Sequence, residues 1–253
     1  MKKELLMSQW LKEENIAHIH GWDFSHIDGR CEEEKDLPWD YRNIITGYLK
    51  REDQLLDLDT GGGEFLLSLG HPFCNTSATE SYPPNVLLCR ETLIPLGIKF
   101  NEANASATLP FGDGAFGMVI NRHGDFNADE IYRVLKPSGI FVTEQVGAEN
   151  DRSLVNLLLH DIEMPFPDLY LENVLQKFTH AGFTILQSQE AFRPIRFYDV
   201  GALVWFAHII EWEFPGFTVN RCIQELYHAE EILEKNGYIE GQIHRFMLVG
   251  RKK

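Results

Sequence analysis

Between Gln54 and Val146, short apolar runs alternate with amphipathic stretches. The runs "QLLDL", "NTSATE", "IKFNEA", "FGMVINR" and "IFVTEQV" predict successive strands. "EFLLSL", "PPNVLLCRETLIPLG" and "NADEIYRVLKPSG" predict the helices between them. Gly70 and Pro72 stop the first helix. Pro83 and Pro84 open the second, where a helix tolerates proline, and Gly97 ends it. Asn127 is placed to cap the third, which Pro137 and Gly139 stop. Strands alternating with helices call for right-handed crossovers and a parallel sheet covered on both faces.

Outside that stretch the rhythm is looser. Leu5, Leu6, Trp10, Leu11 and Ile16 recur at roughly helical spacing, and "LPWDYRNIITGYLK" reads as a helix leading into the core. A helix is predicted over 168–182, a sixth strand at "FTILQSQ" and a last strand at "HRFMLVGRK". An apolar helix near 200–212 and a polar one near 220–236 lie between those two strands. The expected organisation is an N-terminal helical and aromatic cap segment, 1–45, then an α/β domain, 46–253, with a helical insertion at about 192–238.

The 253 residues are 44% hydrophobic, enough for a sizeable core. Lys and Arg number 23 against 38 Asp and Glu, a net charge of -15, which disfavours nucleic acid and anionic membrane surfaces as partners. Cys31, Cys74, Cys89 and Cys222 form no CxxC pair and read as free thiols of a reducing cytoplasm. The N-terminus lacks the apolar core of a secretion signal, and "VGALVWFAHII" is too short to span a membrane. No metal is expected: His18 and His20, or His26 and Asp28, lack partners at a ligand spacing.

The chemistry concentrates in "LLDLDTGGGE". Glycines after the first strand of a parallel sheet let a ligand approach the backbone. Gly61 and Gly63 give GxG, but Leu66 stands where a dinucleotide fingerprint needs its third glycine, and no GxxxxGK[ST] string exists. Asp57 at the end of the first strand would repel a phosphate and attract an ammonium or sulfonium group. Glu80, ending the second strand, lies about 20 residues beyond, where a carboxylate suits a ribose diol.

The blocks "LLDLDTGGGE", "ATESYPPN", "LPFGDGAFGMVINRHG" and "EIYRVLKPSGIFVTEQV" together resemble the class I S-adenosylmethionine-dependent methyltransferases, of the type 11 methyltransferase domain kind, over about residues 45–147. The resemblance implies a Rossmann-like doubly wound α/β sheet of about seven strands, mostly parallel with an antiparallel last strand, plus helical cap elements. It implies that Asp57 and the loop of Asp59, Gly61, Gly62 and Gly63 hold the amino acid end of S-adenosylmethionine. Glu80 would bind the ribose, Ser81 and Tyr82 would lie beside the adenine, and Asn104 and Ala105 would contact its amino group. Asn121 and Arg122, with His123, would end the fourth strand next to the transferred methyl. Two positions depart from the family pattern: Asp59 replaces the first glycine of the loop, and Asn104 stands where Asp is usual.

Methyl transfer is a one-step displacement and needs no fixed triad. His123 is the candidate base, or a histidine hydrogen-bonded at a strand end. Arg122 binds a substrate carboxylate or pairs with Asp125. Glu144 and Gln145 face substrate or cap a loop. Trp22, Phe24, Trp39 and Tyr41 form a lid or pack together. Arg193, Arg196, Tyr198 and Asp199 are candidate polar groups of a substrate pocket. The expected activity is methyl transfer to a small-molecule acceptor. The alternatives are an RNA base methyltransferase and a non-catalytic member of the fold that binds cofactor or partner.

Overall fold

A computed structural model describes residues 2–19 and 23–253. The elements run α1 (Lys2–Ile16), β1 (Cys31–Glu33), α2 (Tyr41–Tyr48), β2 (Leu55–Leu58), α3 (Glu64–Ser68), β3 (Thr76–Glu80), α4 (Pro83–Thr92) and β4 (Lys99–Glu102). There follow β5 (Phe116–Arg122), α5 (Ala128–Val134), β6 (Leu135–Val146), α6 (Arg152–Leu158), α7 (Leu171–His180), β7 (Phe183–Phe197), α8 (Val200–Ile209), α9 (Ile223–Asn236) and β8 (Ile239–Lys252). The strands are hydrogen-bonded in the order β1-β7-β8-β6-β5-β2-β3-β4. Pairs among β2 to β6 are parallel, whereas β6 with β8 and β1 with β7 are antiparallel. This is the expected doubly wound sheet with an antiparallel last strand.

The chain divides into two compact units. One holds the chain up to Leu37 with Ala148–Asp168 and Phe192–His244, and the other holds Pro38–Gly147, Leu169–Ala191 and Arg245–Lys253. In the second unit, alternate residues of the central strands enter two separate cores. Leu56, Leu58, Val119 and Phe141 join Phe178 and Phe246 in one. Leu55, Met118, Ile120 and Val142 join Leu93 and Met247 in the other. This is the period-two signature of a sheet covered on both faces. The first unit has its own core, with Trp10, Leu154, Phe197, Trp205, Phe214 and Leu226 among its members.

Local chemistry explains the boundaries. Asn127 Oδ1 accepts the N–H groups of Asp129 at 3.0 Å and Glu130 at 3.2 Å and so starts α5. Asp40 does the same for α2 through the Asn43 N–H at 2.9 Å. Helix α5 ends at Val134, earlier than the pattern predicted, and the chain is already extended at Leu135. Pro137 disfavours a helical conformation just before it. Strands β7 and β8 both run longer than their apolar cores suggested. Two elements carried no sequence signal that was read as such: β1, inside a charged run, and α6. Helix α8 is buried from Val200 through Ala207, as a helix apolar on all sides must be. Among the described residues no helix is long and apolar enough to cross a membrane.

The stacked pair at the centre of the second unit tests this packing. Phe178 is fully buried and its ring lies 4.9 Å from that of Phe141 at an interplanar angle of 7°. Phe178→Ala is expected to lower stability by roughly 3–5 kcal/mol. In urea unfolding this appears as a lower midpoint with an unchanged slope.

Candidate functional site

Strand β2 is buried at all four positions and delivers Asp57 to the sheet's carboxyl edge. The loop that follows turns sharply. Asp59, Gly61 and Gly63 have φ of 52°, 64° and 85°. A Cβ on Gly63 would lie 2.7 Å from the buried Leu93 side chain, and one on Gly62 would lie 2.1 Å from Glu64 Oε1. Leu93 belongs to the core, so Gly63 is required by the protein's own packing. Glu64 is exposed and its carboxylate can swing away, so the space above Gly62 is available to a ligand. The loop is tied down by the Gly61 N–H, donating to Glu80 Oε2 at 2.9 Å, and by Cys89 Sγ, donating to the Gly61 carbonyl at 3.0 Å.

Three carboxylates converge here. Asp57 is 4% exposed and its pKa is pushed up to about 7, first by burial, against the Thr60 hydroxyl that donates to it at 2.6 Å, and further by the charges of Asp59 and Glu80. Asp59 is likewise pushed up to about 7 by burial and then by Glu80 and Asp125. Its Oδ1 is buried with no hydrogen-bond partner. Glu80 is buried and accepts from Gly61 N–H, from Ser81 N–H at 2.8 Å, from Tyr82 N–H at 2.9 Å and from Asn85 Nδ2 at 3.4 Å. A cation placed beside Asp57 and Asp59 would favour their ionised forms. The residues therefore fit a ligand carrying an ammonium or sulfonium group.

The neighbouring loops are less open to a ligand than the sequence suggested. Ser81 and Tyr82 are exposed beyond β3, and Ala105 is buried. Asn104 Oδ1 already accepts the Ser106 N–H at 2.8 Å and hydroxyl at 2.6 Å. Its carbonyl oxygen is free for an adenine amino group only if Ser106 lets go. The Asn121 amide is also committed. Its Nδ2 donates to the carbonyls of Leu58 at 3.1 Å and Asp125 at 3.3 Å, and its Oδ1 accepts from Thr143 and Gln145. Gln145 Nε2 further donates to Thr143 Oγ1 at 2.7 Å and the Gly124 carbonyl at 3.2 Å. Both amides brace the strand ends.

A second cluster lies at the ends of β5 and β6. Arg122 does not pair with Asp125, as one expected alternative had it. Its Nε donates to Glu144 Oε1 at 3.0 Å, because the parallel register sets Arg122 opposite Glu144. The guanidinium also lies 5.6 Å from the centre of the Phe65 ring. His123, at φ 59°, places Nε2 3.3 Å from the same oxygen, and its N–H donates to the Glu144 carbonyl at 2.9 Å. The indole Nε1 of Trp39 donates to Glu144 Oε2 at 2.7 Å. Burial of Glu144 opposes ionisation, but the His123, Trp39 and Arg122 donors outweigh it and bring the pKa down to about 2. The His123 pKa is lowered, by desolvation first and then, against the pull of Glu144, by Arg245 and Arg122. A neutral His123 beside an ionised carboxylate donates through Nε2–H, which leaves Nδ1 with its lone pair.

The role of Trp39 in this cluster was not legible in the sequence, where it stood only among aromatics that form a lid or pack together. Its neighbour Tyr41 is buried and donates its hydroxyl to the Asn121 carbonyl at 2.9 Å. Phe24 packs on Trp205 with ring centres 5.8 Å apart. Trp22 lies outside the described residues. In the other unit, Arg196 Nε donates to Glu240 at 2.8 Å, Tyr198 donates its hydroxyl to Glu32 at 2.6 Å, Arg193 pairs with Asp36, and Asp199 caps α8 while binding Arg30.

Residues 56–143 match the family model described as a methyltransferase domain. Over 118 residues the sequence is 36% identical to the demethylmenaquinone methyltransferase of Thermus thermophilus, a match covering 42% of this chain and 53% of that protein. The chain thus spans about half the length of that curated relative. Among solved structures, a Bacillus halodurans protein provisionally named a methyltransferase superposes with a TM-score of 0.56 at 18% identity, over 84% of this chain and 98% of the other. The [4+2]-cyclase SpnF superposes with a TM-score of 0.51 at 18% identity, over 83% and 82%. These two likenesses concern the fold. The matched segment is similar to methyltransferase domains, a family whose cofactor is S-adenosylmethionine.

Asp59 makes a test in the free protein. Folding raises its pKa to about 7, so the native state holds the proton more tightly than the unfolded chain. Its contribution to stability is therefore favourable at low pH and is lost as pH rises from about 4 to about 7. Asp59→Asn keeps a residue tolerant of positive φ and removes the charge. It is expected to stabilise the protein by on the order of 2 kcal/mol at pH 8 and by less than half of that at pH 5, read from urea midpoints. An equal gain at both pH values would contradict the assigned repulsion.

Proposed function

We propose that the protein transfers a methyl group from S-adenosylmethionine to a small-molecule acceptor. The observation that carries this reading is the glycine loop ringed by Asp57, Asp59 and Glu80, with Asp57 and Asp59 pushed up to about 7 by burial and by their carboxylate neighbours. S-adenosylmethionine supplies an electrophilic methyl on a sulfonium centre. Asp57 and the loop at Asp59, Gly61, Gly62 and Gly63 would hold its amino acid end. Glu80 would turn a lone pair to the ribose, with Ser81, Tyr82, Asn104 and Ala105 about the adenine.

At the opposite rim, Nδ1 of His123 takes the acceptor's proton while Nε2–H stays on Glu144. The terminal nitrogens of the Arg122 guanidinium steady an oxygen of the acceptor. Excess negative charge supports a small acceptor over RNA, whose phosphates the rim carboxylates would repel. Four free cysteines agree with a reducing compartment such as the cytoplasm. A second reading, a member of the fold that binds but does not transfer, draws on Asp59, whose Oδ1 is buried without a hydrogen-bond partner where the family pattern has a glycine.

Calorimetric titration with S-adenosylmethionine and S-adenosylhomocysteine, with NAD as control, separates these readings. Micromolar binding of the first two is expected, with about one proton released near pH 7 as Asp57 and Asp59 ionise against the bound cation. The proton count comes from repeating the titration in buffers of different ionisation enthalpy. Glu80→Ala should weaken binding by roughly 1.5–3 kcal/mol. Binding of neither ligand by folded, ligand-free protein would sink the methyl-transfer reading. Tight binding with no turnover on any small acid, amine or quinol tried would favour the second.

A further inference from the structure

Trp39 sits on a short, well-anchored stretch. Pro38 restricts the backbone before it, Asp40 caps α2 immediately after it, and Tyr41 is fastened to the Asn121 carbonyl. The ring itself is only half-buried. It packs against the edge of the core of this unit and lines an open groove of about 460 Å3 with Ile44, Tyr48, Gln187 and Gln189. Its one polar atom makes the shortest hydrogen bond to Glu144, at 2.7 Å, against 3.0 Å for Arg122 and 3.3 Å for His123.

The three donors divide the carboxylate. Oε2 belongs to Trp39, and Oε1 is shared by Arg122 and His123. Glu144 is 5% exposed, so water does not freely replace a missing donor. An indole N–H donates and never accepts. It therefore fixes which oxygen turns toward β5, and with it the direction from which His123 is held. We propose that Trp39 is a positioning residue for His123: through Glu144 it sets the tautomer and proton affinity of that imidazole. This rests on the reading of His123 as the proton acceptor in methyl transfer, but its physical content concerns the free protein.

The sign follows from charge sharing. The groups facing His123 are Glu144 on β6, Arg122 beside it on β5 and Arg245 on β8. The two arginines disfavour the imidazolium and Glu144 favours it. While Trp39 occupies Oε2, part of the carboxylate's charge is spent on the indole. Removing that donor leaves Glu144 to lean harder on His123, whose proton affinity must rise.

The test is a 15N-histidine NMR titration of the full chain, with the His123 signals assigned by their loss in His123→Gln. The wild-type ring is expected to be the Nε2–H tautomer, titrating below a free histidine. In Trp39→Phe, which keeps an aromatic ring and drops the donor, the midpoint is expected to rise by about one pH unit, a tenfold gain in proton affinity. An unchanged midpoint and tautomer in folded Trp39→Phe would overturn the proposal. Should that variant not fold, the wild type still decides. The Trp39 indole N–H must shift with the same midpoint as His123, and an indole signal indifferent to pH overturns it equally. Calorimetry of Trp39→Phe with S-adenosylmethionine should give wild-type affinity. A wild-type chain that binds no cofactor would end the methyl-transfer reading while leaving the NMR result to stand or fall by itself.

Discussion

The pairing of β2 with β5 is the contact on which the candidate site depends. Leu55 through Leu58 lie opposite Met118 through Asn121, in parallel, at the centre of the sheet. Strand β3 flanks β2 on its other side, so the chain's order reverses across β2. At such a switch point two successive loops leave the sheet in opposite directions and open a crevice above the strand ends. Asn121 reinforces the seam, donating to the Leu58 carbonyl where β2 turns into the glycine loop. Move that register by one residue and Asp57 would face a core instead of the rim.

The two rims of this crevice treat carboxylates in opposite ways. Asp57 is buried and Asp59 half-buried, each is pushed further by neighbouring carboxylates that include Glu80, and both ionise reluctantly. Glu144 is as deeply buried but receives three N–H donors, two from basic side chains, and ionises easily. Carboxylates with divergent proton affinities in one small region separate the tasks of binding a cation and handling a proton. The first rim suits a ligand that brings positive charge. The second orients an imidazole whose proton affinity is lowered by desolvation and by two arginines, against the pull of Glu144.

The fold leaves the reaction open. A [4+2]-cyclase shares the architecture at a similar level of likeness to that of a protein provisionally named a methyltransferase. What distinguishes one chain from another is the chemistry at the strand ends and the segments that cover them. Here that chemistry is an acidic glycine loop and a tryptophan-braced carboxylate. They are grafted on the two sides of β2.

Most of the sheet was legible in the sequence because its signals are local. Apolar runs, prolines at the start of α4 and the Asn127 cap each act within a few residues, and so did the glycine loop with its acidic flanks. Strand β1 was not legible: two of its three residues are exposed glutamates, and it is a strand only because β7 supplies hydrogen bonds. Of the two roles open to Arg122, a substrate carboxylate or a pair with Asp125, neither names Glu144, because only the β5–β6 register sets those two side by side. The sequence also left Gln145 to face substrate or cap a loop, and only the tertiary structure sets its amide against Asn121 and the Gly124 carbonyl. From sequence alone came the alternation of strands and helices, the positions of the glycines and the acidic character of the loop, since these depend on residue type and spacing. Tertiary structure alone decided which donors meet which carboxylates, because proton affinity and hydrogen-bond partners depend on burial and on distances between residues far apart in the chain, such as Trp39 and Glu144.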